Sequence, residues 1–148
     1  MGGKRDRRPR RAVRVFLAVA VLVVAEDDPA SLELALRLMR HAGHQAHFTS
    51  DGQEALDLAT SIRPHLLLLD MNLPTLDGWQ VAAALRKTSW AGALRILAVS
   101  AGAMVLDEER ALASGCDEFL AKPYAPRDLL AAVARQLAQR STSAGDLT

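Results

Sequence analysis

The stretch HLLLLDMNLPTLDG, residues 65–78, decides the fold of this chain. Its four consecutive leucines, residues 66–69, are too few for a buried helix but suit a strand that is covered on both faces, as in a parallel sheet. Asp70 ends the run, and Pro74 and Gly78 then break the chain before a helical pattern begins. The stretch therefore predicts a central strand, a loop and the start of a helix.

Short aliphatic runs alternate with amphipathic helical patterns on both sides of this stretch. Such alternation is typical of a doubly wound α/β fold with a parallel sheet. We expect strands near residues 21–25, 44–48, 65–69, 94–99 and 118–121. We expect helices near residues 31–42, 50–61, 78–87, 104–114 and 126–139.

Length and composition predict one domain. The chain has 148 residues, of which 50% are hydrophobic, so it can bury one sizeable core. Aromatic residues make up only 4%, which leaves few surfaces for stacking on bases. Cys116 is the one cysteine, so an internal disulfide is excluded and a cytoplasmic location is expected.

The two ends of the chain differ from its body. Residues 1–14 carry seven basic residues and one acidic residue, a net charge of +6, whereas the rest carries 11 basic and 16 acidic residues, a net charge of −5. The apolar run 15–25 behind this basic start also resembles a signal peptide, but it is too short to span a bilayer and serves better as a buried strand. We expect a disordered basic extension at 1–19, a folded domain at 20–140 and a disordered tail at 141–148.

Polar side chains stand where the predicted strands end. Ligands bind beyond the carboxyl ends of the strands in doubly wound sheets. Clustered carboxylates repel one another unless a cation holds them together, and oxygen ligands favour a hard ion such as Mg²⁺. The residues at these ends are Glu26 and Asp27 after the first strand, Asp70 after the third, Ser100 after the fourth and Lys122 after the fifth.

These residue types suit phosphoryl transfer. An aspartate such as Asp70 can attack phosphorus as a nucleophile, and the reaction then needs mainly alignment and charge neutralisation. Lys122 would contact the phosphoryl oxygens as a point charge, and the Ser100 hydroxyl would donate a hydrogen bond to one of them. We expect Glu26, Asp27 and Asp70 to bind Mg²⁺ together with the backbone carbonyl of Asn72.

The motifs resemble those of the receiver domain of bacterial two-component response regulators, over about residues 21–137. The matching segments, in chain order, are VVAEDDP at 23–29, LLDMNLP at 68–74 followed by Asp77-Gly78, AVSA at 98–101 and FLAKP at 119–123. The resemblance implies a CheY-like, flavodoxin-like (βα)5 fold whose five parallel strands have the order 2-1-3-4-5.

The resemblance also implies a role for each site residue. Asp70 would be the phosphoacceptor, with Glu26 and Asp27 as the acidic pair. Ser100 would be the switch hydroxyl, in place of the commoner threonine, and Phe119 the rotating aromatic, in place of the commoner tyrosine. Phosphorylation would then repack the face formed by the fourth helix, fifth strand and fifth helix. Phe119 as an ordinary core residue is an equally open alternative.

Because the sequence leaves no room for an output domain beside the receiver, we expect a stand-alone response regulator that acts in a phosphorelay or controls a protein target. Its partners would be a histidine kinase or histidine phosphotransfer protein and a downstream protein. We expect no membrane partner, a monomer or weak homodimer, and no enzymatic activity beyond the domain's own phosphorylation and dephosphorylation.

Three alternatives differ in function class. A pseudo-receiver would keep the fold and act only as a docking module. A nucleic-acid-associated regulator would use the basic extension, and we expect any such binding to be weak, nonspecific and salt-dependent. A haloacid-type or phosphatase-type hydrolase would need an acid/base carboxylate two residues after its nucleophile, where this chain has Asn72.

Overall fold

A computed structural model describes residues 19–101 and 105–146, with side chains described except at 105, 106 and 140–146. The strands of this part are β1 Val21–Ala25, β2 Gln45–Thr49, β3 Leu66–Asp70, β4 Arg95–Ser100 and β5 Glu118–Ala121. The helices are α1 Pro29–His41, α2 Gly52–Ile62, α3 Gly78–Arg86, α4 Val105–Ala113 and α5 Pro126–Asp146, with a short 3-10 helix at Trp90–Ala93.

The strands form one parallel sheet in the order β2-β1-β3-β4-β5. The predicted α/β class, the flavodoxin-like (βα)5 architecture and the strand order are therefore confirmed. Because every strand runs in the same direction, all five carboxyl ends lie at one edge of the sheet.

The run of leucines in β3 packs on both faces of the sheet. Leu67 and Leu69 join a core cluster with α2, α3 and α4, whereas Leu66 and Leu68 join a second cluster with α1 and α5. All four leucines are almost fully buried. Burial of one leucine contributes roughly 1.5 to 3 kcal/mol, so the central strand holds the two helix layers together.

An aspartate starts each of the helices α1, α2 and α3. The side chains of Asp28, Asp51 and Asp77 each accept a hydrogen bond from a backbone N–H in the first helical turn, and Asp77 completes a capping box with Gln80. A side-chain oxygen there satisfies an N–H that has no partner within the helix. These caps set where each loop at the carboxyl edge of the sheet ends.

The ends of the chain differ in part from expectation. Helix α5 continues through Asp146, past the predicted boundary at residue 140, because residues 141–146 contain no proline to interrupt the helical hydrogen bonds. The expected tail is thus helical at 141–146, and residues 147–148 lie outside the described part. Residues 1–18 of the predicted basic extension and the predicted helix start at Met104 also lie outside it. No helix among the described residues has the length and apolar character needed to cross a membrane.

Candidate functional site

The strand ends bring the predicted site residues to one edge of the sheet. Asp70 ends β3 and Ser100 ends β4, while Glu26 directly follows β1 and Lys122 directly follows β5. The Lys122 N–H donates a hydrogen bond of 2.8 Å to the Ser100 carbonyl, which continues the ladder between β4 and β5 by one residue. The predicted convergence of these side chains is what the structure shows.

Lys122 connects two buried carboxylates. Its Nζ donates to Glu26 Oε1 at 2.5 Å and to Asp70 Oδ2 at 3.2 Å. Glu26 is only 6% exposed and Asp70 only 4% exposed. The peptide bond between Lys122 and Pro123 is cis. The two hydrogen bonds of Nζ hold the ammonium group directly beside Asp70.

The charges in this cluster perturb one another. Burial raises the pKa of Glu26 to about 7, and the nearby Asp70 adds to the rise, against the opposing hydrogen bond from Lys122. Burial alone would lower the pKa of Lys122, but its hydrogen bond to Glu26 and the charge of Asp70 outweigh burial and raise it. Lys122 therefore stays protonated, and its single positive charge does not balance the three carboxylates around it.

The acidic cluster has the composition of a site for a hard cation. Glu26, Asp27 and Asp70 each offer a carboxylate oxygen, and these oxygens lie within 4.8 Å of one another. When all three carboxylates are ionised, they and Lys122 together carry a formal charge of −2, which one divalent cation would neutralise. A donor set made only of oxygen fits Mg²⁺ or Ca²⁺ better than a soft metal.

The loop after β3 turns tightly around Asp70. Asp70 Oδ1 accepts a hydrogen bond of 2.9 Å from the Asn72 N–H, and the Gly78 N–H donates to the Met71 carbonyl at 2.9 Å. A Cβ atom on Gly78 would lie 2.7 Å from the Asp70 carbonyl oxygen. The first turn of α3 thus packs directly on the backbone of the acceptor, so the Asp77-Gly78 motif is a packing requirement.

Ser100 and Phe119 lie on the neighbouring strands. Ser100 is 3% exposed. Phe119 pairs with Ala98 in the β4–β5 ladder and is half-buried against the core cluster of α2, α3 and α4. Phe119 therefore contributes to packing in this conformation, and its role as a switch stays a prediction.

Sequence reasoning missed contacts around the site. Tyr124 is half-buried, and burial together with the negative charge of Glu26 raises the pKa of its phenol. In the sequence, only its position two residues after Lys122 indicated that Tyr124 lies near the site. The Thr75 hydroxyl donates to Asp51 across two loops, and the Thr49 carbonyl accepts the Glu26 N–H at 3.0 Å. No sequence pattern marked these last contacts, because their partners are far apart in the chain.

Comparisons with known proteins agree with this geometry. The family model of the response regulator receiver domain matches residues 21–134. The response regulator MprA of Mycolicibacterium vanbaalenii is 39% identical over 126 residues, which cover 85% of this chain and 53% of that protein. MprA of Mycobacterium tuberculosis is 39% identical over 115 residues, which cover 78% of this chain and 49% of that protein. This chain thus spans about half the length of these curated relatives.

Solved structures share the fold. The receiver domain of a sensor histidine kinase from Pseudomonas aeruginosa superimposes with a TM-score of 0.76 at 27% identity, covering 82% of this chain and 99% of that one. That structure has a magnesium ion coordinated in its active-site cleft. A CheY-like receiver domain protein from Methanospirillum hungatei gives a TM-score of 0.78 at 22% identity, covering 84% of this chain and 98% of that one. On the match of the family model and the identity to its relatives, this chain belongs to the response regulator receiver domain family.

Proposed function

We propose that this receiver accepts a phosphoryl group on Asp70 from a histidine kinase or histidine phosphotransfer protein, in a reaction that requires Mg²⁺. The observation that carries the proposal is the position of Lys122, whose ammonium lies between the buried carboxylates of Glu26 and Asp70. A lysine held there is placed to neutralise the oxygens of a phosphoryl group on Asp70. The receiver family and its two-component context support the same assignment.

The transfer forms one bond and breaks one. A carboxylate oxygen of Asp70 attacks the phosphorus of a phosphohistidine, the new O–P bond gives an acyl phosphate, and the P–N bond to the imidazole breaks. The electron pair of that bond stays on the imidazole nitrogen of the donor. Lys122 then pairs with the phosphoryl oxygens, and the Ser100 hydroxyl donates a hydrogen bond to one of them.

Bound Mg²⁺ would neutralise charge on the phosphoryl oxygens during the transfer. The residues that would hold it are Glu26, Asp27 and Asp70 with the backbone carbonyl of Asn72. The support is the all-oxygen cluster in this chain and the magnesium ion in the active-site cleft of the Pseudomonas aeruginosa receiver domain.

The output would follow from repacking near Ser100 and Phe119. When Ser100 moves toward the phosphoryl group, Phe119 moves with it and alters the face formed by α4, β5 and α5. A downstream protein would bind that face, and the domain would catalyse no more than its own phosphorylation and dephosphorylation. A reducing cytoplasm suits this chemistry and the unpaired thiol of Cys116. Stand-alone action stays a prediction, checked by the size of the protein detected in its native cell.

Intact-mass spectrometry tests the acceptor. The wild-type protein, with phosphoramidate and Mg²⁺, should gain the mass of one phosphoryl group. Asp70→Asn should gain none, because its amide cannot form the acyl phosphate. Asp57→Asn is the matched control, since Asp57 is an exposed acid on α2, and it should behave like wild type.

Three results would contradict the proposal. The first is phosphorylation of Asp70→Asn. The second is equal phosphorylation of the wild type when EDTA replaces Mg²⁺. The third is the absence of any mass gain in the wild type, with phosphoramidate and with a histidine kinase, which would favour a docking module that has lost the chemistry.

A further inference from the structure

Two loops at the carboxyl edge of the sheet are joined away from the acidic cluster. The loop between β2 and α2 consists of Ser50 and Asp51, and the loop between β3 and α3 consists of residues 71–77. The second loop follows the proposed phosphoacceptor and contains Asn72. Contacts between the two loops can therefore affect the cation site without touching the cation.

The main contact joins Thr75 and Asp51. The Thr75 hydroxyl donates a hydrogen bond of 2.5 Å to Asp51 Oδ2, while Asp51 Oδ1 caps α2 by accepting from the Glu54 N–H at 2.9 Å. These two hydrogen bonds lower the pKa of Asp51, so the carboxylate is ionised near neutral pH. One side chain thus fixes both the start of α2 and the middle of the β3–α3 loop.

The backbone of Thr75 is strained. Its φ is +71°, in the left-handed region that β-branched residues rarely adopt. A conformation of this kind is unfavourable for a residue with a Cβ atom and persists only where surrounding contacts impose it. A glycine would avoid this cost but would have no hydroxyl for Asp51. Threonine is thus unfavourable for the backbone conformation at this position, but its hydroxyl makes the hydrogen bond to Asp51.

A second contact brings the two backbones together. The Gly52 N–H donates to the Pro74 carbonyl at 3.0 Å, and a Cβ atom on Gly52 would lie 1.7 Å from the Leu76 carbonyl oxygen. No side chain fits between the loops at this point. The Asp51–Thr75 hydrogen bond therefore acts on loops that are already in direct backbone contact.

The last residue of β2, which leads into the β2–α2 loop, contacts Glu26 of the acidic cluster. The Glu26 N–H donates to the Thr49 carbonyl at 3.0 Å, at the end of β2. On the opposite side, Asp70 Oδ1 accepts from the Asn72 N–H at 2.9 Å, within the loop that Thr75 anchors. A continuous set of contacts thus links the acidic pair, the β2–α2 loop and the loop that carries Asn72.

We propose that Asp51 and Thr75 form a clamp that holds the Asn72 carbonyl and Asp70 in the geometry a divalent cation needs, with Asp51 as a positioning residue. The inference rests on the proposed Mg²⁺ site and assigns to it residues that do not contact the ion. Partners outside the coordination shell of a metal site typically change affinity about 10- to 100-fold. Because this clamp acts through a loop, we expect the lower end, a Kd for Mg²⁺ about tenfold higher without it.

The experiment measures Mg²⁺ affinity by isothermal titration calorimetry on the full chain. The clamp variants are Asp51→Asn and Thr75→Gly. Thr75→Ser keeps the hydroxyl and should bind Mg²⁺ like wild type. Asp57→Asn removes one charge from the same helix without touching the loop, so it controls for the loss of a nearby negative charge, and it should also match wild type.

Stability separates positioning from a merely structural role. Thr75→Gly relieves the positive φ, so its free energy of unfolding in urea should not fall in proportion to its loss of affinity. A structural role alone would lower stability and affinity together. We expect Thr75→Gly to be about as stable as wild type and to bind Mg²⁺ about tenfold more weakly.

The possible failures are distinguishable. If wild type binds Mg²⁺ and both clamp variants bind it equally well, the clamp is refuted and the Mg²⁺ site stands. If Thr75→Ser loses as much affinity as Thr75→Gly, the hydroxyl is not the active group and the clamp is again refuted. If wild type binds no Mg²⁺, or binds it no better than Asp70→Asn, the proposed function itself fails.

Discussion

Arg86 should be among the most important polar side chains for stability. It lies at the end of α3, and its guanidinium donates to the carbonyls of Gly115, Ala91 and Leu94 at 2.8 Å each and to Asp117 Oδ2 at 2.7 Å. These acceptors belong to the 3-10 helix, the segment before β4 and the segment before β5. One side chain therefore joins the α3–β4 and α4–β5 connections at the amino edge of the sheet.

The magnitude of the Arg86→Ala effect follows from burial. The Arg86 and Asp117 side chains are 24% and 20% exposed, whereas the Arg37–Glu33 pair on α1, joined at 2.8 Å, is 72% and 71% exposed. Removing one partner of a buried pair costs about 3 to 5 kcal/mol. The Arg86–Asp117 pair is only partly buried, and Asp117 keeps both the Ile96 N–H at 2.7 Å and an ion pair with Arg95 at 3.4 Å, so we take the lower value of about 3 kcal/mol. Arg37→Ala should cost less than about 0.5 kcal/mol.

Urea denaturation followed by circular dichroism measures the difference. With a slope of about 1.5 kcal/mol/M, Arg86→Ala should lower the urea midpoint by about 2 M, while Arg37→Ala should leave it nearly unchanged. Arg86→Lys keeps the charge but cannot reach all four acceptors, so its midpoint should fall between those of wild type and Arg86→Ala. Equal midpoints for Arg86→Ala and Arg37→Ala would refute the assignment of stability to this cluster.

Three other predictions concern separate parts of the molecule. His44 Nδ1 accepts the Ala20 N–H at 3.1 Å, and burial lowers the pKa of His44, so its contribution to stability is present above pH 6.5 and declines as the pH falls through the lowered folded-state pKa. Between pH 8 and pH 5.5, the urea midpoint of the wild type should therefore fall more steeply than that of His44→Asn. Parallel curves for the two proteins would contradict this prediction. Gly78→Ala would place a Cβ atom 2.6 Å from the Met71 Cα, so it should lower the free energy of unfolding by about 1 to 3 kcal/mol. It should also slow phosphorylation measured by intact mass. A urea midpoint equal to that of the wild type would show that α3 can shift without cost. Burial raises the pKa of the Cys116 thiol to about 12, so iodoacetamide at pH 8 should alkylate this thiol in urea but not in the folded protein. Rapid alkylation of the folded protein would show that the core around Cys116 opens readily.

The fold could be predicted because its determinants are local. The leucines of β3 face both core clusters, and only a strand covered on both sides suits such a run. The site could be predicted because parallel strands collect their carboxyl ends at one edge. The four residues Glu26, Asp70, Ser100 and Lys122 could be placed together because each lies at the end of a strand or directly after it.

The rest of the site depends on contacts between distant segments. Thr75 and Asp51 are 24 residues apart, and nothing in either segment indicates that the two loops meet. The positive φ of Thr75 was equally hidden, because threonine is not a residue that suggests this conformation. Arg86 gave no signal either, since three of its four acceptors are backbone carbonyls and every residue type has one.

The end of α5 shows a different limit. Ser141, Thr142 and Gly145 have weak helix propensity, which predicts a tail, yet the helix continues through Asp146. Propensity is a weak indicator when no proline interrupts a helix that is already formed, because each added residue contributes one further hydrogen bond.

The short strand β5 separates two chemically different ends. Asp117, which pairs with Arg86, comes just before this strand, and Lys122, which pairs with Asp70, comes just after it. Four residues of strand span about 13 Å, which exceeds the Debye length of about 8 Å at physiological salt. Salt screens charges that face solvent and acts much less on buried ones. Charge substitutions at solvent-exposed positions of the amino edge should therefore change the chemistry of Asp70 little, and thermostable variants for crystallisation or biosensor design can be sought at those positions.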